Sequence, residues 1–196
     1  MVIDSTGLKV YGAGEWQRKK HGARGRRTWR KLHLAVNPDT NEILASELTS
    51  NEIGDPSMVS PLLDQIPGSI ASVLAEGAYE GEPVYRAVAQ RQPEPPPMVI
   101  LPPRVTAVLR SPTGTAPSPR DRHIQTIQEK GRRGWARAVG YGQRSLVETA
   151  MFRYQTLIGP TRRARKLAAQ QVEARVASSV INRMTELGMP ISPRVR

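Results

Sequence analysis

The sequence predicts an α/β fold in which helices cover the faces of a mixed β-sheet. Three observations support this prediction. An apolar strand at the start is followed by two strand-like segments with a turn between them, which is typical of an antiparallel hairpin. Short apolar runs then alternate with helical segments, as in parallel strands joined by crossover helices. Two long amphipathic segments end the chain, whose 196 residues suffice for one domain over residues 1–196 with a real hydrophobic core.

The first 50 residues contain the predicted hairpin. Residues 2–11 are rich in β-branched side chains, and the Gly-Ala-Gly sequence that follows ends this strand. Residues 27–36 alternate, which places Leu32, Leu34 and Val36 on one face of a second strand and Lys31 and His33 on the other. The turn-forming sequence NPDTNE then leads into a third strand, ILASELTS. The second and third strands should therefore pair beside the first.

The middle of the chain alternates helix and strand. Asp55 followed by proline is typical of a helix start with a capping carboxylate, although Pro61 should kink this helix or delay its start. An apolar strand then ends at Glu76. A helix follows over residues 81–92, and a short strand bounded by prolines lies within residues 96–104. This order predicts parallel strands connected by helices.

The last third of the chain begins with a segment of weak periodicity. Residues 102–134 are rich in Pro, Thr, Ser and Arg, so we interpret them as an irregular insertion in which RDRHIQTIQEKG could hold a short helix. Two helices are predicted after it, over residues 143–158 and 162–187. The first carries its apolar side chains on one face, at Val147, Met151, Tyr154 and Ile158. The second of these repeats apolar side chains at Val172, Val176, Val180, Met184 and Leu187.

Charge and composition restrict the class of partner. Twenty-nine Lys and Arg against 17 Asp and Glu give a net charge of +12, which favours nucleic acid because phosphate contacts release counterions. A merely soluble basic protein is the alternative. The absence of cysteine excludes disulfides and thiolate metal sites. With no membrane-span-like segment and no signal peptide in the sequence, we expect a cytoplasmic protein without a membrane partner.

Three carboxylates are candidates for a catalytic metal site. Phosphodiester chemistry with two metals needs acids that converge from separate elements. Asp4 lies inside an apolar strand, where a charge is costly unless it is paired or binds metal. Glu76 ends a strand, and Glu148 lies on a helix one turn after Arg144. Each acid also has an ordinary explanation as a cap, a solvated strand end or an ion-pair partner, so only their joint arrangement favours a site.

Basic residues provide candidate DNA contacts. The glycine-broken stretch before the second strand should form a phosphate-binding loop, with a solvated basic loop as the alternative. Arg132, Arg133 and Arg137 surround Trp135, whose indole could stack on a base or simply pack in the core. No chemistry is assigned to the three histidines, His21, His33 and His123. The candidate phosphate-binding residues are Arg18, Lys19, Lys20, Arg24, Arg26, Arg27 and Lys31.

Several strings resemble the catalytic segments of DDE transposases of the bacterial insertion sequence five family: VIDSTGLKVYGAGEW, RTWRKLHLAV, VLAEGAYEG and YGQRSLVETAMFRYQTLIG. The family's signature Y-x2-R-x3-E is matched by Tyr141, Arg144 and Glu148. The resemblance implies a ribonuclease H-like fold, with Asp4, Glu76 and Glu148 as catalytic acids that bind Mg²⁺, or Mn²⁺ in its place. It also implies DNA transposition on double-stranded DNA ends and target by a homodimer, with Arg144, Tyr141 and position 155 contacting DNA.

Three departures from the family pattern qualify the expected activity. The family has aspartate where this chain has Glu76, and the signature lysine is replaced by Gln155. The resemblance also leads us to expect a catalytic core without the N-terminal region that reads terminal repeats in full-length relatives. Because Mg²⁺ tolerates little deviation from octahedral geometry, the longer Glu76 predicts a site that binds metal but cuts poorly. A catalytically inactive DNA-binding protein on the same fold and a basic RNA-binding protein are the alternative functions.

Overall fold

The computed structural model describes residues 1–10, 29–92, 94–111 and 115–188. In these ranges six strands form one sheet in the order β3-β2-β1-β4-β5, and β6 pairs with the far end of β1. Strand β2 runs antiparallel to β1 and β3, whereas β4, β5 and β6 run parallel to β1. The predicted hairpin and mixed sheet are therefore confirmed. The strands are β1 (Val2–Val10), β2 (Trp29–Val36), β3 (Ile43–Ser50), β4 (Ser72–Leu74), β5 (Met98–Ile100) and β6 (Thr161–Arg162).

Helices lie on both faces of this sheet. None of the helices in the described ranges has the length and apolar character needed to cross a membrane. Single-turn 3₁₀ segments precede two of them, at Asp55–Met58 and Tyr141–Arg144, and a third such segment covers Gly77–Tyr79. The α-helices are α1 (Val59–Leu63), α2 (Glu82–Arg91), α3 (Pro119–Ala138), α4 (Ser145–Leu157) and α5 (Leu167–Glu186).

The sheet separates two apolar clusters. Leu32, Leu34 and Val36 project from β2 towards α3, α4 and α5, as their alternation predicted. Ile3 and Ala35 project from the neighbouring positions to the other face, where α1 and α2 pack. Both faces of the central strands are thus covered, which explains why β1 and β2 contain almost no exposed side chain.

The start of α1 differs in detail from its prediction. The regular helix begins only at Val59, which places Pro61 in its first turn. Backbone N–H groups in the first turn have no partner within the helix, so proline costs no hydrogen bond there. Asp55, however, is not a cap, because Gly54 occupies the N-cap position and no side chain caps this segment. The Asp55 carboxylate is instead used in tertiary contacts with β1 and β2.

The interpretation of residues 102–134 as irregular is wrong for its second half. Ser118 caps α3 by accepting from the amide of Asp121, and the helix bends at Gly131, whose φ of 69° suits glycine. His123 binds the carbonyl of Val99 (2.7 Å) and accepts from the indole of Trp135 (3.0 Å). These tertiary bonds fix α3 against the edge strand. They also bury Trp135, which is 2% exposed and unavailable for base stacking.

The last helix differs from its prediction in where it begins and in which side faces the sheet. Residues 161–162 form β6, and α5 begins at Leu167. Its buried side is made largely of small and polar residues, among them Gln170, Ala174 and Ser178, because α5 packs closely against β3. The apolar repeat faces away from the sheet, since Val172, Val176, Val180, Met184 and Leu187 are all exposed.

Two buried histidines predict a pH-dependent stability. Burial lowers the pKa of His33 to about 4; the charge of Asp55 raises it to a smaller extent, and the charge of Lys31 lowers it further. Burial also lowers the pKa of His123. Below pH 6.5 the two histidines become protonated in the unfolded chain, whereas in the folded chain they stay neutral to a lower pH. The free energy of unfolding should therefore fall from pH 6.5 towards pH 4 by about 1.4 kcal/mol per pH unit for each proton.

Thermal melting in buffers between pH 7 and pH 4.5 measures this slope. We expect the His33→Asn variant to show a shallower slope than the unmodified chain, because one of the two protons no longer contributes. Because all other titrating groups are the same in both proteins, the difference between the two slopes reports on His33. An unchanged slope would contradict the assignment to His33.

Candidate active site

The register of β1 and β4 places two of the predicted acids side by side. Val2 pairs with Leu74 in the parallel ladder, so two residues further along each chain Asp4 lies beside Glu76. Asp4 is in the middle of β1 and is only 8% exposed. Glu76 follows the end of β4 and is half-buried. This is the edge at which open α/β sheets hold ligands.

Helix α4 brings the third acid to the same place. Val147, Met151 and Tyr154 bury one side of α4 against the sheet, as its periodicity predicted. The neighbouring stripe, which also reaches β1, carries Arg144 and Glu148, one helical turn apart. Arg144 Nη1 donates to Asp4 Oδ2 (3.0 Å), and Nη2 donates to Glu148 Oε1. One guanidinium therefore joins an acid of β1 to an acid of α4.

Gln155 continues this stripe and also contacts β1. Its Nε2 donates to the hydroxyl of Thr6 (3.0 Å), which lies on the same face of β1 as Asp4 because side chains two residues apart share a face. In the sequence signature that the chain resembles, lysine stands at the position of Gln155. At this position the chain therefore offers a neutral hydrogen-bonding amide, and that amide is bound to the sheet.

Electrostatics show that the acids repel one another across this site. Burial raises the pKa of Asp4, and the charges of Glu76 and Glu148 raise it further. The amide of Ser5, which donates to Asp4 Oδ1 (2.8 Å), and the Arg144 guanidinium act in the opposite direction. Burial alone would lower the pKa of Arg144, but Glu148 and Asp4 help to raise it. The site thus favours positive charge.

Tyr141 completes the wall of this site. Gly140 adopts φ 66° before the 3₁₀ turn, a conformation that glycine reaches without strain, and turns the chain into α4. The Tyr141 ring packs on Trp135 with centroids 5.1 Å apart. Burial raises the pKa of Tyr141, and Glu76, Asp4 and Glu148 add to that effect. The phenol therefore lies within electrostatic reach of all three acids.

A further polar group, which sequence reasoning missed, lies on the opposite face of β1. We call Ser5, Lys31, His33, Asp55 and Tyr79 the Asp55 cluster. Asp55 accepts from the hydroxyl of Ser5 (3.0 Å) and from Lys31 Nζ (3.1 Å). The Tyr79 hydroxyl and His33 Nδ1 are buried without a hydrogen-bond partner among the described residues. Burial raises the pKa of Tyr79, followed by the charges of Asp55, Asp4 and Glu76.

The Asp55 cluster therefore adjoins the three acids through Tyr79. The only sequence signal for it was the alternation that places Lys31 and His33 on one face of β2. Lys31, predicted to bind DNA, is held by Asp55 and by the carbonyl of Ile53 (3.0 Å) on this face. The six other predicted phosphate contacts, Arg18, Lys19, Lys20, Arg24, Arg26 and Arg27, lie outside the described residues.

The donor chemistry fits a hard divalent cation. Asp4, Glu76 and Glu148 offer carboxylate oxygens, which are the ligands that Mg²⁺ prefers. In the described ranges, however, no three His, Asp or Glu side chains are close enough to form a ready metal-binding group. Arg144 supplies the positive charge between Asp4 and Glu148 instead.

Comparison with known protein families gives a match over most of the chain. The family model described as the transposase DDE domain matches residues 1–183. The chain belongs to this family. No solved structure matches it. Membership in the transposase DDE domain family implies a transposase function in general, with DNA as the substrate, and such transposases generally use divalent metal ions.

Proposed function

We propose that this DDE domain is the catalytic core of a cut-and-paste transposase of the insertion sequence five family. One observation supports the proposal: Arg144 pairs with Asp4 of β1 and with Glu148 of α4, and the charge of Glu76 at the end of β4 acts on Asp4. The strand order with a single antiparallel strand among the described six supports a ribonuclease H-like fold over residues 1–196. The net charge of +12 supports binding to double-stranded DNA.

The proposed reaction has two steps. Water attacks the phosphodiester at the transposon end and releases a 3′-hydroxyl, which then attacks a phosphodiester of the target DNA and displaces a second 3′-hydroxyl. Asp4, Glu76 and Glu148 would hold Mg²⁺, or Mn²⁺ in its place. Bound divalent cations would activate the attacking oxygen and stabilise the leaving oxygen.

Arg144 has two alternative partners in this proposal. In the structure it pairs with Asp4 and Glu148. The Arg144 guanidinium would be free to bind the scissile phosphate through two N–H groups once a cation neutralised the acids. Tyr141 and Gln155 lie on either side of Arg144 and Glu148 and would contact the DNA backbone. A homodimer would hold the two transposon ends together.

A catalytically inactive DNA-binding protein is the second candidate function. It is favoured by the amide of Gln155, which is bound to Thr6, and by Glu76 in place of aspartate. Arg144 would then remain paired with Asp4 and Glu148, and the chain would bind DNA through its basic residues alone.

A nicking assay on supercoiled plasmid separates the two functions. The proposed enzyme converts the plasmid to open-circle form with Mg²⁺ or Mn²⁺ and not with EDTA. The inactive protein shifts the plasmid in a gel at low salt under both conditions and never nicks it. Nicking that persists in EDTA would contradict both.

The Glu76→Asp variant should cleave a transposon-end duplex faster than the unmodified chain, by up to about 10²-fold. Shortening the side chain by one methylene restores the family's residue at a position beside Asp4. Initial rates of strand cleavage with Mg²⁺ measure the effect. The matched control is Glu80→Asp, the same change at a residue that pairs with Arg120 (2.5 Å); its cleavage rate should not rise. A Glu76→Asp rate equal to or below the original would contradict this explanation of weak activity.

A further inference from the structure

Helix α4 exposes an aromatic side chain next to the proposed active site. Phe152 follows Glu148 by four residues and precedes Gln155 by three, so it lies on the same helical stripe. It is 69% exposed. In the part of the chain that the structure describes, every Tyr and Trp is buried or half-buried, and Phe152 alone among aromatic residues is exposed.

What distinguishes the Phe152 ring is its position on the helix and not merely its exposure. Single exposed apolar side chains are common on protein surfaces. Phe152, however, interrupts a polar stripe in which Arg144, Glu148 and Gln155 all contact partners around Asp4 or Thr6. An apolar side chain at this position cannot form the polar contacts that Arg144 and Gln155 make with β1. The Phe152 ring is therefore an exposed apolar surface one helical turn from Glu148.

Distances along the helix and along DNA match at this place. Four residues of α-helix advance about 6 Å, and successive nucleotides of one strand are about 3.4 Å apart. A phosphodiester held at Glu148 and Arg144 would thus have a base within about two nucleotide steps of Phe152. Bases inside a duplex are already stacked, so only an unpaired or extruded base could cover the ring.

We propose that Phe152 is a stacking platform for an unpaired nucleobase next to the phosphodiester bound at Asp4, Glu76 and Glu148. This inference rests on the proposed function. Stacking on an aromatic ring tolerates every base because each has a π-face. Phe152 would therefore hold a frayed or extruded base near the cut and leave sequence recognition to other residues.

The test compares two DNA probes on four proteins. One probe is a blunt duplex, and the other carries a short unpaired 3′ extension with 2-aminopurine, whose fluorescence reports stacking. The proteins are the unmodified chain, Phe152→Ala, Phe152→Trp and the control Leu157→Ala. Leu157 is 50% exposed at the C-terminal end of the same helix. Binding is measured with Ca²⁺ in place of Mg²⁺ to limit cleavage.

We expect the unmodified chain to prefer the extended probe and to change its 2-aminopurine fluorescence. Phe152→Ala should lose about tenfold or more in affinity for that probe, lose the fluorescence change and bind the blunt duplex as before. Phe152→Trp should keep the preference, and Leu157→Ala should behave as the unmodified chain.

Three results would overturn the inference. The first is an equal affinity of Phe152→Ala and the unmodified chain for the extended probe, and the second is an equal loss of affinity for both probes. The third is a Phe152→Ala chain that sediments as a smaller species than the unmodified chain, which would assign the ring to self-association. Failure of the unmodified chain to bind either DNA probe would instead refute the proposed function, and with it the stacking role.

Discussion

The Asp4→Asn variant should lose metal-dependent DNA nicking by about 10³-fold or more, which corresponds to about 4 kcal/mol of transition-state stabilisation. Asp4 is the buried acid of the site, and it faces Glu76 beside it and Arg144 opposite. Asparagine has nearly the same shape but carries no charge to hold a cation. Initial nicking rates with Mg²⁺ measure the loss.

The same substitution should not weaken the fold. Burial raises the folded-state pKa of Asp4 above its ordinary value, so at neutral pH the ionised group is less favourable in the folded chain than in the unfolded chain. Removing that charge should leave the melting temperature unchanged or raise it. Activity lost together with stability would therefore point to damage of the fold and not to the site.

The control for Asp4 is an exposed carboxylate remote from the site. Asp39 lies in the turn between β2 and β3, and Asp39→Asn should nick DNA at the original rate. DNA binding at low salt should be similar in all three proteins. An Asp4→Asn protein that still nicks with Mg²⁺ would refute the catalytic assignment of Asp4.

Local periodicity was sufficient to predict much of this fold. The alternation of Leu32, Leu34 and Val36 gave the face of β2 correctly, and the spacing of Val147, Met151 and Tyr154 gave the buried side of α4. Both elements cross the middle of the sheet, where burial of apolar area decides the orientation. The pairing of Asp4 and Glu148 through Arg144 follows from these elements. The positions of the three acids on separate elements made them candidates, whereas their catalytic role came from the family resemblance.

Tertiary contacts explain what the pattern could not predict. Helix α3 is fixed by the bond of His123 to Val99, a partner 24 positions away in sequence. Helix α5 turns small residues such as Ala174 and Ala177 towards β3 and its valines outward, because close packing of a helix on a sheet favours small side chains over an apolar repeat. Asp55 resembled a cap, yet its partners Ser5 and Lys31 come from two other strands.

The second large effect concerns Arg162, a buried cation that links β6 to the rest of the fold. Its side chain is 0% exposed, and it donates to the Tyr154 hydroxyl (3.0 Å) and the carbonyl of Gly159 (2.8 Å). The nearest carboxylate is Glu173 of α5, at 3.6 Å. Glu173 also accepts from the amides of Arg163 and Ala164, both at 3.1 Å. One acid therefore neutralises Arg162 and holds the loop before α5.

Removing this acid leaves a buried positive charge without compensation. Glu173→Ala should lower the free energy of unfolding by about 3 kcal/mol, the lower end of the range for breaking a buried pair, because Glu173 is 27% exposed. In an Arg162→Met background the same change should cost only about 1 kcal/mol, since the charge is gone and only the loop amides lose their acceptor. Urea unfolding of the two single variants and the double variant measures this coupling.

A surface pair on the same helix provides the matched control. Glu186 pairs with Arg183 while both side chains are largely exposed, so Glu186→Ala should cost about 0.5 kcal/mol or less. If Glu173→Ala were as mild as Glu186→Ala, or if its cost did not depend on Arg162, then the buried guanidinium would not need Glu173. The attachment of β6 to β1 would then depend on the contacts of Arg162 with Tyr154 and Gly159, and Arg162→Met would become the more damaging substitution.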